Sequence, residues 1–146
     1  MVALAALFAG SAGAQPVSPQ ARAAAQALFE AGQVLMEKKR YAAACPKFEE
    51  SQRLDPGLGT QFNLGDCYEQ VGRLASAWIQ FVDVAAGLRR RGELARAAVA
   101  DGRAKVLLPR LTRLKIVVTT PVDGMLVERN GLAVPPAQWG TEIPID

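Results

Sequence analysis

Few side chains in this chain can do chemistry. None of its 146 residues is histidine, which removes Ser-His-Asp and Cys-His catalysis, His-ligated zinc and imidazole proton shuttles. The carboxylates are dispersed. Glu49 and Glu50 adjoin, and Asp66 and Glu69 stand about one helical turn apart. Neither pair has the companion cluster that a metal site or an acid/base couple needs. Gly57-Leu58-Gly59 resembles a phosphate loop, but no strand precedes it and no third glycine follows. The expectation is no catalytic group, no metal and no cofactor. Two thiols remain, Cys45 and Cys67. They form no Cys-x-x-Cys motif and have no neighbour that would lower a thiol pKa, so a redox role is not expected. They either bond to each other or pack as small hydrophobes.

Charge narrows the partners. Lys and Arg number 17 against 14 Asp and Glu, a net +3 that is too small to nominate nucleic acid. One stretch is biased: residues 86–115 hold Arg89, Arg90, Arg91, Arg96, Arg103, Lys105, Arg110, Arg113 and Lys115 against Glu93 and Asp101. This is either the solvated face of a helix or an attraction for an anionic envelope component such as a lipid headgroup, an acidic glycan or an acidic peptide. No aromatic residues are interleaved for base stacking, so nucleic acid is not an expected partner. Hydrophobic residues make up 50% of the chain and aromatics only 6%. That balance suits a core of small residues between helices.

Residues 1–14 lack charge and run apolar from Val2 to Ala9, followed by Ala12-Gly13-Ala14. This is the pattern of a secretory signal cleaved after Ala14, too short for a stable transmembrane helix. The alternative is an apolar N-terminal helix. Export would place the mature chain in an oxidising compartment. From Ala21 to Arg91 the sequence repeats with a period of 33: Leu28, Gly32, Leu35, Tyr41, Ala44 and Phe48 answer to Gln61, Gly65, Tyr68, Leu74, Ala77 and Phe81. Such periods mean stacked helical pairs. The expected helices are Pro19–Lys39, Tyr41–Leu54, Leu58–Val71 and Leu74–Arg90, with Pro56 stopping the second and Gly57 freeing its turn. A fifth helix, Glu93–Leu108, carries Ala97, Ala100, Ala104, Leu107 and Leu108 as its apolar stripe. It is expected to cap the stack with a polar outer face.

The repeat resembles the tetratricopeptide repeat. The matching residues are Ala31-Gly32, Leu35, Ala44, Phe48 and Pro56 in unit one and Leu64-Gly65, Tyr68, Ala77 and Phe81 in unit two. Unit one has Leu28 where the family often has Trp, and unit two lacks the closing Pro. The resemblance implies a mainly α fold: two helical hairpins, about 25–57 and 58–91, and a capping helix at about 93–108. Together they make a short right-handed solenoid within residues 15–110. In that family the first helix of each pair lines a concave peptide-binding groove. Its positions here would be Gln26, Phe29, Gln33, Met36 and Glu37, then Phe62, Asp66, Glu69 and Gln70. Phe29 and Phe62 would be peptide anchors, or rings buried against the tail or a neighbouring helix. The Lys and Asn pattern with which some relatives clamp a peptide carboxylate is absent.

Beyond Pro109 the period changes. Leu114–Thr119 is β-branched and alternating, Asn130-Gly131 separates two short apolar runs, and a last extended piece covers Thr141–Ile145. These pieces predict one thin antiparallel sheet of three or four strands. Residues 111–146 are similar to the first half of a PEGA-type β-domain. The matching residues are Leu114–Val118, Thr120-Pro121, Gly124, Val127, Asn130-Gly131, Gly140-Thr141 and Pro144-Ile145. The module's later half, with a Pro-Gly turn and a closing strand, is not in the sequence.

Cys45 lies as far before Pro56 as Cys67 lies after it, 11 residues each. On an antiparallel helix pair, that spacing puts both thiols at one height near the seam, within reach of a disulfide. The expected role is a non-catalytic, exported scaffold that presents a groove to a protein or peptide in the bacterial cell envelope. The alternative is a structural spacer, or an element contacting cell wall or glycan through the β-module.

Overall fold

The structure, a computed structural model, describes residues 17–146. The expected export signal at 1–14 lies outside the described residues. Five helices come first: α1 (Pro19–Glu37), α2 (Tyr41–Leu54), α3 (Leu58–Gln70), α4 (Leu74–Arg90) and α5 (Leu94–Leu107). Four short strands follow: β1 (Thr112–Lys115), β2 (Glu128–Arg129), β3 (Leu132–Ala133) and β4 (Glu142–Ile145). The fold is mainly α with a small antiparallel β tail.

Local chemistry sets the helix ends. Ser18 Oγ accepts the Ala21 N–H at 3.1 Å, and Pro19 opens α1 where no intrahelical donor is needed. After α1, Lys39 enters the left-handed region at φ 55° and the Arg40 N–H reaches back to the Leu35 carbonyl at 2.9 Å. The same closing turn recurs at Gly72 (φ 80°, Arg73 N–H to Tyr68 carbonyl, 2.9 Å) and at Gly92 (φ 75°, Glu93 N–H to Leu88 carbonyl, 3.0 Å). So α5 folds back on α4 as α4 folds back on α3. The α2–α3 link is different. Gly57 has φ −143°, an ordinary extended conformation, so the freedom expected of this glycine is not used. The link is instead shaped by Pro56 and held by the Gln52 side-chain oxygen, which accepts the Gly57 N–H at 3.0 Å.

The core forms where helices carry their smallest residues. A Cβ at Gly32 would lie 2.7 Å from the Phe48 ring, and one at Gly65 2.9 Å from the Phe81 ring. Only glycine admits those rings, and both are fully buried beside Ala44 and Ala77. Ser51, the buried polar residue of α2, donates to the Ala25 carbonyl at 2.8 Å and ties α2 to α1. Toward α5 the core continues through Val84, Ala85, Leu88, Ala97 and Ala100.

Two expectations change here. Ala97, Ala100, Ala104 and Leu107 are buried as foreseen, but Leu108 is 43% exposed because it has left α5 for the tight turn Leu108–Arg110. Nor is the outer side of α5 purely polar: Leu94, Val99 and Val106 are all more than half exposed.

The tail makes two sheets, not one. β1 pairs with β4 antiparallel, Thr112 opposite Ile145 and Lys115 opposite Glu142. The β2–β3 hairpin stands apart, with Asn130 (φ 53°) and Gly131 (φ 76°) both left-handed as its Asn-Gly turn requires. The first strand is shorter than the predicted Leu114–Thr119. Past Lys115 the Ile116 carbonyl is taken by the Gly140 N–H at 2.7 Å, outside the β1–β4 ladder.

The end of β4 meets the start of α4 and ties the tail to the helices. Arg73, preceding α4, supplies no side-chain cap. The Asp146 carboxylate does so instead, accepting from the Ala75 N–H (2.7 Å), the Ser76 N–H (3.0 Å) and the Ser76 hydroxyl, with Arg73 Nε 3.6 Å away. Burial alone would raise the Asp146 pKa, but these donors outweigh it and hold the carboxyl below its usual range. A folded pKa below the unfolded value of about 3.9 means the contact contributes fully above that pH and fades as pH falls through the folded pKa. Asp146→Ala should therefore cost about 0.5–2 kcal/mol at neutral pH, the worth of a helix cap. The deficit should shrink on acidification. Urea unfolding at neutral and acid pH checks this, and an unchanged neutral-pH midpoint would contradict it.

Candidate binding groove

Each proposed groove residue sits on α1 or α3. On α1, Gln26, Gln33 and Glu37 are exposed, while Phe29 and Met36 are half-buried. On α3, Phe62, Asp66 and Glu69 are half-buried and Gln70 is exposed. The two helices flank one surface: a small cleft of about 70 Å³ is bordered by Gln26 and Phe29 of α1 and by Thr60 of α3. The fate of the rings follows from the hairpins. Phe29 packs on Phe48 with centroids 5.7 Å apart, and Phe62 on Phe81 at 5.2 Å, both tilted or edge-on. Each ring therefore lies half-buried on the buried aromatic of its own hairpin, and Phe62 also borders Val99 and Arg103 of α5.

The acidic positions are different from expectation. Asp66 and Glu69 do not stand open to a partner. Because α5 turns back along α4, Arg103 of α5 and Arg110 of the turn that follows it both reach α3. Arg103 reaches Asp66 Oδ1 at 2.5 Å and Glu69 Oε2 at 2.8 Å, and Arg110 reaches Glu69 Oε1 at 2.9 Å. The Arg103 guanidinium also lies 4.7 Å from the Phe81 ring centroid and 5.9 Å from that of Phe62. Burial pushes the Asp66 carboxyl up despite Arg103. Burial would raise Glu69 too, but hydrogen bonds from Arg103 and Arg110 outweigh it and hold that carboxyl low. The basic stretch is thus partly spent inside the molecule. Arg89 pairs with Asp101, Arg96 with Glu93, and Arg103 and Arg110 close over α3. Arg90, Arg91, Lys105, Arg113 and Lys115 have no acidic partner among the described residues.

Where α3, α4 and α5 meet near the start of α3 lies an apolar pocket of about 240 Å³ lined by Leu58, Phe62, Val84, Leu88, Arg96 and Val99. Leu58 reaches it because Gly87 leaves room: a Cβ there would lie 2.7 Å from the Leu58 side chain.

At the seam of α2 and α3, Cys45 and Cys67 come to disulfide distance, sulfurs 2.15 Å and Cα atoms 5.5 Å apart. Both residues are buried. Beside them Tyr68 Oη donates to Glu49 Oε1 at 2.8 Å, and Arg73 lies over the Tyr68 ring, 4.1 Å from its centroid. Burial, then the Glu49 hydrogen bond, push the Tyr68 hydroxyl up to about 12. Sequence reasoning missed Glu49, Arg73 and Arg103 as partners, since each meets its contact across more than 15 residues of chain. The one available signal was Gly92, which stands before Glu93 as Gly72 stands before Arg73.

No cluster of three metal-ligating side chains occurs among the described residues, and none of their helices is long and apolar enough to cross a membrane. No protein-family model matches the chain, and no curated protein matches it.

Removing Arg103 should be visible at one carboxyl. In Arg103→Ala, the Glu69 titration midpoint should move up toward the ordinary carboxylate value, since only Arg110 would remain to hold it down. Carbon-detected NMR of the Glu69 side chain measures this. An unmoved midpoint would contradict the assigned contact.

Proposed function

We propose that the chain is a non-catalytic interaction module of the cell envelope. Two tetratricopeptide-type hairpins would present a groove to a protein segment, and a PEGA-like tail would accompany them. One observation carries this reading. Phe29 and Phe62 recur at the 33-residue period, each seated on a buried ring with its other side half-exposed. An aromatic surface held in place this way costs little to order on binding. The disulfide-distance pair Cys45 and Cys67 is compatible with an exported chain, because such bonds persist in oxidising compartments. As a covalent bond it would staple the first hairpin to the second, contributing about 3 kcal/mol by loop-closure entropy.

The spacer reading has its own support. The Asp146 contact on α4 ties the β tail to the helices, as an element that sets the distance between neighbours would require.

Cross-linking in envelope extract separates the two. Under the groove reading, Phe29→Ala with Phe62→Ala loses the captured protein. Gln33→Arg, at an exposed position that leaves the core untouched, weakens capture. Capture that survives all three changes would favour the spacer. Intact mass of secreted chain, with and without reductant and a thiol-blocking reagent, tests the rest: the expected product begins at Gln15 and is two hydrogens lighter before reduction. An uncleaved chain with two free thiols would contradict export and the staple together.

A further inference from the structure

A run of polar contacts leads from the cysteine seam to the tail. Glu49 lies one turn after Cys45 on α2, and Tyr68 follows Cys67 on α3. Tyr68 Oη donates to Glu49 Oε1 at 2.8 Å, so this hydrogen bond and the Cys45–Cys67 pair clamp the same two helices about one turn apart. Arg73 is the junction. Its Nη1 lies 3.3 Å from Glu49 Oε1, and its guanidinium covers the Tyr68 ring. Its Nη2 donates to Ser76 Oγ at 3.3 Å, and its Nε lies 3.6 Å from Asp146 Oδ2. The Ser76 hydroxyl in turn donates to Asp146.

The two ends of this run differ in how they are packed. At the tail, an open cleft of about 480 Å³ is lined by Trp78 and Ile79 of α4 and by Arg129, Pro144 and Ile145 of the tail. That space keeps those apolar side chains short of close packing, so the Asp146 contacts weigh the more. The seam is filled. Cys67 is fully buried and Cys45 nearly so, in one core with Ala44, Phe48 and Leu64. Reduction breaks the S–S bond, takes two electrons and two protons from a dithiol, which closes into its own cyclic disulfide, and leaves two thiols. Two thiols keep a van der Waals separation that bonded sulfurs do not. In a filled interior that separation is found by moving α2 against α3. The Glu49–Tyr68 bond spans the same two helices, and Arg73 is tied to both of its members.

We propose that the Cys45–Cys67 bond and the docking of the β tail on α4 are linked through Glu49, Tyr68 and Arg73. The bonded pair holds the tail in place, and reduction loosens it. Linkage is reciprocal, so the docked tail also protects the bond from reduction. The device converts the redox state of the surroundings into freedom of the tail. It stands apart from the groove reading and uses none of the groove positions on α1.

Equilibration of the full chain in mixtures of oxidised and reduced dithiothreitol, followed by thiol blocking and intact mass, tests it. In Asp146→Ala the equilibrium should move about 3-fold or more toward the two thiols, within the coupling found for groups in one network. Arg73→Gln should move it the same way. Ser18→Ala, which removes the cap of α1 at a similar cost in stability, should leave it where it is. Amide hydrogen exchange of the parent reads the converse. On reduction the Ala75 and Ser76 N–H groups, held by Asp146, should lose protection, while the Arg22 N–H, bonded to the Ser18 carbonyl, keeps its own. Equal reduction of the parent and Asp146→Ala, or unchanged exchange at Ala75 and Ser76, would overturn the linkage. An equal shift in Ser18→Ala, or loss of protection at Arg22 alongside the others, would also overturn it, since the bond would then sense overall stability alone. Two free thiols in the fully oxidised mixture would do the same.

Discussion

At Gly32 and Gly65 a helix backbone meets an aromatic ring with no side chain between them. The hairpins α1–α2 and α3–α4 close only because Phe48 and Phe81 fill those two places. Each ring then supports a second one, Phe29 or Phe62, on the other side. The half-exposed aromatic positions of the proposed groove are thus a consequence of core packing. A chain with alanine at the crossings would have to part its helices or turn the buried rings, and the outer rings would move with them.

Polar contacts then decide which parts of that surface stay open. Arg103 and Arg110 cover the carboxylates Asp66 and Glu69 of α3. The pocket near Leu58 stays apolar, its one charged lining residue, Arg96, being paired with Glu93. Tyr68, Glu49 and Arg73 join α2, α3 and the start of α4 beside the cysteine pair. Asp146 extends that network to the tail. The charge excess of residues 86–115 is therefore divided: part of it pairs with carboxylates inside the fold, and part has no acidic partner among the described residues.

The helices were legible because their signals are local or periodic. A 33-residue repeat of Gly, Ala and Phe locates both helical hairpins, Pro56 marks the end of α2, and Asn130-Gly131 marks the turn of the β2–β3 hairpin. What escaped was decided by distant partners. Nothing near Asp146 says that α4 lacks a cap of its own. Nothing near Asp66 says that an arginine 37 residues later will cover it. The β tail was harder for a related reason. Its strands are two to four residues long, and one backbone bond, Gly140 to Ile116, is enough to move a strand end. The turn at Gly92 was readable in principle from its likeness to Gly72, and with it the return of α5 alongside α3.

The most direct test is a double-mutant cycle on Gly32 and Phe48. Adding a methyl group at Gly32 gains helix propensity of about 1 kcal/mol, but overpacks against the ring by about 1–3 kcal/mol. Phe48→Leu takes the ring away. The account predicts that Gly32→Ala is neutral to destabilising with Phe48 present and stabilising with Leu in its place. The corresponding coupling energy is about 1–3 kcal/mol, within the usual range for residues in contact. Effects that simply add, within about 0.5 kcal/mol, would contradict the close approach on which the hairpins and the proposed groove both depend.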